Sequence, residues 1–407
     1  MGFQQGLAGL NAAARNLDVI GNNVANTNTT GFKSARAEFA DVYATSLAGG
    51  GNTAGIGVAV ADLSQQFTQG DLTTTNNSLD IAINGGGFYR LSNAGTISYS
   101  RNGQFKLDKD GFIVNAQNLK LTGYAANADG VVNGGVPQEI RLDTSDIPPK
   151  PTATAGVGLT LDARVPVAPP FDITDGTSYA GGTSLSVYDS LGREHDLALY
   201  FRKAAPNSWE VYGSVDGTVL GAAPGTSLGT LNFDINGALD PATSTIPMNV
   251  PVPVGADAGG IQMVAMSMPT ATQFGSEFAV SSLQQDGYAP GRLAGFSVSP
   301  DGTIQTRYTN GETLARGRIA LANFTNPQGL MSMGGNQWSE TAESGQPLVA
   351  SPGSGTMCIL QSGALESSNV DLTAELVNMI TAQRVYQANA QTIKTNDQLL
   401  QTIVNLR

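Results

Sequence analysis

Residues 16–39 read NLDVIGNNVANTNTTGFKSARAEF. The stretch continues an apolar helical rhythm yet carries Gly21, Asn22, Asn23, Asn26 and Asn28. Gly costs a helix about 1 kcal/mol relative to Ala, and Asn is also a poor helix former. Such a choice weakens an isolated helix, but it suits one packed among copies of itself, where a small residue permits close approach and a buried amide fixes register. Upstream, Phe3, Leu7, Leu10, Ala14, Leu17, Gly21 and Val24 alternate by four and three, the seam of a helix roughly 35 Å long. At the far end Leu372, Leu376, Met379, Gln383, Tyr386, Ala390, Ile393, Asp397, Leu400 and Val404 keep the same rhythm. Asp371 stands where an N-cap belongs, and Glu375 lies where the helix dipole favours negative charge. Both apolar stripes need a partner.

Between these helices the pattern changes to period two. Phe88–Leu91, Thr96–Arg101, Gln104–Asp108 and Phe112–Val114 read as short strands separated by Asn93-Ala94-Gly95, Asn102-Gly103 and Asp110-Gly111. Thr303–Tyr308, between Asp301-Gly302 and Asn310-Gly311, follows the same style. The Pro, Ala and Thr-rich span 147–170 reads as a boundary, and SLSVYDS, HDLALYF and WEVYGSV beyond it as a separate β module. The expected fold is multidomain α+β: terminal α-helices form a coiled-coil core domain, with mainly-β outer domains nested between them. Residues 1–30 and 366–407 form the helical domain, 31–75 and 330–365 an extended connection, 76–146 and 281–329 an inner β domain, and 147–280 an inserted outer β domain. The expected subunit interface comprises Phe3, Leu7, Leu10, Leu17, Gly21, Asn22, Asn23, Val24, Leu372, Leu376, Met379, Tyr386, Ile393, Leu400 and Val404.

Composition narrows the function. The 407 residues carry only 13% charge and as many as 50 Gly, which favours turn-rich β structure. A net charge of -12 lacks the basic footprint that nucleic acid requires. The opening MGFQQGLAGLNAAAR has neither a basic leader nor a long apolar run, so no cleaved signal peptide is expected, and no run approaches a membrane span. Cys358, the single cysteine, forms no intrachain disulfide and is expected to be a buried free thiol.

No catalytic residue, cofactor or metal site is expected. His195 is the single histidine, and strand alternation turns the adjacent Glu194 and Asp196 to the opposite face. One His and one Cys cannot make the usual zinc set. DKDGF at 108–112 begins like a calcium loop, but Leu119 stands where the bidentate Glu belongs, so it reads as a hairpin turn. Gly85-Gly86-Gly87 lacks the Gly-Lys-Ser/Thr of a phosphate cradle. An enzyme is not expected.

NLDVIGNNVANTNTTGFK at 16–33, NNSLDIAINGGGFYRL at 76–91 and SGALESSNVDLTAELVNMITAQRVYQANAQTIKTNDQLLQ at 362–401 together resemble the flagellar axial proteins, the rod and hook family. The stretch 286–330, with VYDSLGREHDLALYF and Trp209, resembles the hook members. That resemblance implies a bacterial flagellar hook subunit, which polymerises into a curved, flexible tube acting as a universal joint between rod and filament. It also implies extracellular localisation after type III export without signal cleavage. The implied partners are further copies in a helical homopolymer, the flagellar rod, hook cap and hook–filament junction proteins, and the type III export apparatus, with no nucleic acid and no membrane insertion. The distal rod protein, or a secreted β-rich adhesin or fibre protein, stand as alternatives.

Overall fold

The computed structural model describes residues 2–42, 57–127, 130–132, 134–220, 225–355 and 357–405. Strand makes up 44% of the described residues, and among them the only α-helices are α1 (Gly2–Ala25) and α2 (Leu372–Asn405). The expected α+β class is therefore corrected to a mainly-β chain with one helix at each end. A coiled-coil core is only partly present, as a single pairing of α1 with α2. Period-two segments and Gly-centred turns outweigh the terminal helices because they fill nearly everything between them.

The chain divides into two compact units, one of Met1–Thr144, Gly295–Arg307 and Thr313–Arg407, the other of Ser145–Ala294 and Tyr308–Glu312. In the first, strands Lys120–Ala125, Phe88–Asn93, Thr96–Ser100 and Gln337–Ser339 lie side by side in that order. Ile81, Ile83, Leu91, Ile113, Leu121 and Ile304 fill its core. A second cluster stacks Phe88, Tyr99, Phe324 and Trp338 edge to face, the arrangement that ring quadrupoles favour. The DKDGF turn closes as expected: Asp108 Oδ1 accepts from the amides of Asp110 at 2.9 Å and Phe112 at 2.8 Å, and Gly111 takes φ +83°.

In the second unit, Gly181–Tyr188, Glu194–Ala205 and Ser208–Val215 form an antiparallel meander. A further sheet is built around Thr154–Asp162. Both sheets bury side chains in one core, among them Val157, Leu159, Leu161, Leu199, Phe201, Val250, Val264 and Trp209. The span expected to be a boundary thus holds a central nine-residue strand. Its TAGVGLTLD alternation carries that strand despite the prolines flanking it. Cys358 is half-buried rather than buried, with its Sγ against Gly85, where a Cβ would collide with it.

Candidate subunit interface

The opening stretch folds as the exit from α1. Helix ends leave backbone groups short of helical partners, and the Asn26 and Thr27 side chains add bonds to the last carbonyls. Asn26 Nδ2 donates to Asn22 O at 2.9 Å, and Thr27 Oγ1 to Val24 O at 2.9 Å. Asn23, fully buried, receives the Ala35 amide on Oδ1 at 2.9 Å and returns Nδ2 to Ala35 O at 2.8 Å. It also reaches Glu375 Oε1 at 3.3 Å. One amide side chain thereby joins α1, α2 and the first strand of the hairpin β1 (Ala35–Val42) and β2 (Gly57–Gln65).

Beyond the helix, Gly31 takes φ +69°, and a Cβ there would lie 2.7 Å from the Arg101 carbonyl carbon. The position therefore admits only Gly. Two residues on, Lys33 Nζ meets Glu366 Oε1 at 2.6 Å and Thr68 O at 2.7 Å, and Arg101 Nη1 meets Glu366 Oε2 at 3.2 Å. All three charged side chains are essentially sealed from solvent. Burial pushes the Lys33 ammonium below the usual lysine range, Glu366 opposes that, and Arg101 adds to it. This triad ties the segment after α1 to the segment before α2. The residue reading missed it because its members lie far apart in sequence; the signal was two charges, Lys33 and Glu366, inside otherwise uncharged TTGFKS and GALESS.

Asp371 caps α2 as expected, its Oδ1 accepting the amides of Thr373 at 2.9 Å and Ala374 at 3.1 Å. The helices then pack through α1 glycines: a Cβ on Gly6 would lie 3.0 Å from Ile393 Cγ1, and one on Gly9 2.8 Å from Asn389 Oδ1. Gly9→Val is expected to cost about 1–3 kcal/mol, the usual range for overpacking. Amide hydrogen exchange should show it as lost protection along residues 385–396 with the β core unchanged.

The face used between the helices takes only part of the seam read from the sequence, with Ile393 beneath Gly6. Phe3 and Leu7 on α1, and Leu372, Leu376, Tyr386 and Leu400 on α2, are exposed, Leu376 at 44% and Leu400 at 56%. Leu10, Leu17, Val24 and Met379 are half-buried, as is Ile393 beneath Gly6. Gly21 has nothing within 4 Å of where its Cβ would be, and Asn22 is exposed while its neighbour Asn23 is buried. The Val404 side chain lies outside the described residues. Val377, Ile380, Val385 and Leu399 are also exposed, and a single four-three seam did not include them. Between α1, α2 and the hairpin runs a groove of about 900 Å³, lined in part by Ala12, Ile20, Phe39, Val58 and Val385. Among the described residues no helix is long and apolar enough to cross a membrane, and no group of three or more His, Cys, Asp or Glu could hold a metal ion.

Four family models match in chain order. They are flagella basal body rod protein at 3–33, flagellar hook protein FlgE/F/G D1 domain at 82–154, flagellar basal body protein FlaE D2 domain at 160–288, and flagellar basal body rod FlgEFG protein C-terminal at 361–406. Helical end motifs around these β domains define a protein of the flagellar rod and hook class. The flagellar hook protein FlgE of Salmonella typhimurium is 43% identical over 412 residues, covering all of both chains. That of Borreliella burgdorferi is 33% identical, covering 99% of this chain and 98% of its own. The chain belongs to the flagellar hook protein family. It shares its fold with the hook protein FlgE2 of Helicobacter pylori at a TM-score of 0.54 and 14% identity, over 72% of this chain and 100% of that one.

Proposed function

We propose that this chain is the repeating structural subunit of a bacterial flagellar hook, assembling with its own copies into a curved, flexible tube that passes torque from rod to filament. The supporting observation is the apolar side chains left open along α1 and α2, beside a fully formed core in each unit. Burying such side chains gains about 25 cal/mol per Å², and along two helices that sum supports a polymer contact. The interface centres on Phe3, Leu7, Leu372, Leu376, Tyr386 and Leu400, with Gly21 and Asn22 available to a neighbouring helix. Leu10, Leu17, Val24, Met379 and Ile393 contribute what their half-burial leaves free, and Asn23 acts from within by holding α1 in place. Val404 is assigned to the same contact from its sequence rhythm. The helical ends, the connecting segments and most of the inner β region of the expected division act together as one unit, and the inserted outer β region as the other. The protein works as a scaffold, not an enzyme. It is exported without signal cleavage by the flagellar type III apparatus and stands outside the cell between rod, cap and junction proteins.

Electron microscopy of the full chain under salting-out conditions, which strengthen apolar burial, tests this reading. Curved tubes are expected from the parent. The Leu376→Asp/Leu400→Asp variant, altered only at exposed positions, should keep its circular dichroism and melting behaviour but form no tubes. Straight, rigid tubes would point to a rod subunit. Unimpaired tubes from the double variant would remove these side chains from the interface.

A further inference from the structure

His195 stands at the start of the strand Glu194–Ala205, on the face shared with Leu197, Leu199 and Phe201, the row buried in the core of the Ser145–Ala294 unit. That placement covers its imidazole to 14% exposure. Nδ1 lies 2.8 Å from Asp216 Oδ2. Nε2 is buried with no hydrogen-bond partner and faces Asp189 Oδ2 at 3.6 Å. Glu194 and Asp196, its chain neighbours, are exposed. The ring's polar partners come instead from two turns, one at Asp216-Gly217 and one at 189–192.

The charged groups around the ring are few. Asp216 Oδ1 accepts the Asp196 amide at 3.0 Å. Asp189 Oδ1 takes the amides of Leu191 and Arg193, and its Oδ2, the oxygen facing the ring, takes Arg193 Nε at 2.7 Å. Arg193 is in turn held by Asp257 at 3.1 Å through both terminal nitrogens. Burial pushes the Asp189 carboxyl up, but its bonds from Arg193 and Leu191 more than offset that and hold it at about 2. The bond from His195, and then the Asp196 amide, hold Asp216 below the usual carboxylate range. Both turns therefore present carboxylates at any pH near neutral. A neutral ring donating from Nδ1 to Asp216 aims its Nε2 lone pair at the Asp189 oxygen, acceptor against acceptor. A second proton on Nε2 converts that opposition into a charge-assisted hydrogen bond.

We propose that His195 is a proton-operated clasp, which in its doubly protonated form ties the Asp216 turn to the Asp189 turn and on deprotonation lets go of the Asp189 side. Asp216, with its depressed pKa, contributes above the usual carboxylate range and loses that contribution as pH falls through its lowered value. The clasp is closed while the ring carries both protons and both carboxylates are charged, and it opens when Nε2 is bare.

The test uses the full chain with Trp338→Phe, so that Trp209, in the core of the same unit, is the single fluorescent reporter. Urea unfolding is followed at about pH 5.5 and 8, and the ring nitrogens are read by ¹⁵N NMR, where a lone histidine leaves no assignment problem. The unfolding constant should be about fivefold smaller at the lower pH, the scale of a partly exposed ion pair. That ratio should vanish in His195→Gln and shrink in Asp216→Asn, and the parent ring at pH 8 should be the Nδ1–H tautomer. An unchanged ratio in His195→Gln, or an Nε2–H ring at pH 8, would overturn the clasp. If His195→Gln does not fold, the tautomer and the Asp216→Asn ratio decide the matter alone.

Discussion

Glu366→Gln is expected to destabilise the unit that contains both helices by about 3–5 kcal/mol, the range for breaking a buried ion pair by removing one partner. The substitution keeps the shape of the side chain but leaves Lys33 and Arg101 buried together without an anion. Arg101 has little reserve, since its Nε is already buried without a hydrogen-bond partner. Lys33→Met should cost less, because Glu366 keeps Arg101 and the Gly70 amide, 3.0 Å from its Oε1. Urea unfolding followed by Trp338, buried in the same unit, measures both, and the double variant isolates the coupling. A loss below 1 kcal/mol for Glu366→Gln would mean that water or a structural shift compensates the two cations. The functional consequence is that Asp371 and α2 follow Glu366 directly in the chain, so loosening the triad frees the helix that carries most of the proposed polymer contact.

Trp209→Ala should cost the other unit about 3–5 kcal/mol, the range for truncating a fully buried aromatic. Trp209 is fully buried among Leu199, Phe201 and Leu231, and its Nε1 donates to Gln273 Oε1 at 2.7 Å. Truncation leaves a cavity and strands part of a buried amide, which Asn207 holds from its other end at 3.0 Å. Trp209→Phe fills most of the cavity but not the hydrogen bond, and should recover more than half of the loss. Urea unfolding by circular dichroism, with hydrogen exchange to assign the transition to this unit, is the measurement. Equal losses from both variants would assign the effect to the hydrogen bond rather than to packing.

Much of the local structure was legible because it rests on short-range rules. The four-three rhythm marked α1 and α2, and Asp371 marked the start of the second. Period-two runs with Gly-centred turns marked strands such as Thr303–Tyr308 and the meander around His195. The strand Thr154–Asp162 was hidden, because Pro-rich flanks look like linker until partner strands more than a hundred residues away are in place. The balance of fold class was also misread, since two conspicuous helices weigh more in a pattern than the many short strands between them.

The opening question divides along the same line. That α1 is a helix whose apolar residues repeat every three or four positions follows from periodicity, which sequence alone determines; that its asparagines stand at the helix exit was shown only by the folded chain. Which asparagine is buried was decided only by tertiary structure. Asn22 and Asn23 are chemically identical, but the helical turn of about 100° between successive residues sends one to the surface and the other onto Ala35 and Glu375. Likewise only the folded chain brings Lys33, Arg101 and Glu366 together, because the attraction that selects those charges acts through space rather than along the backbone.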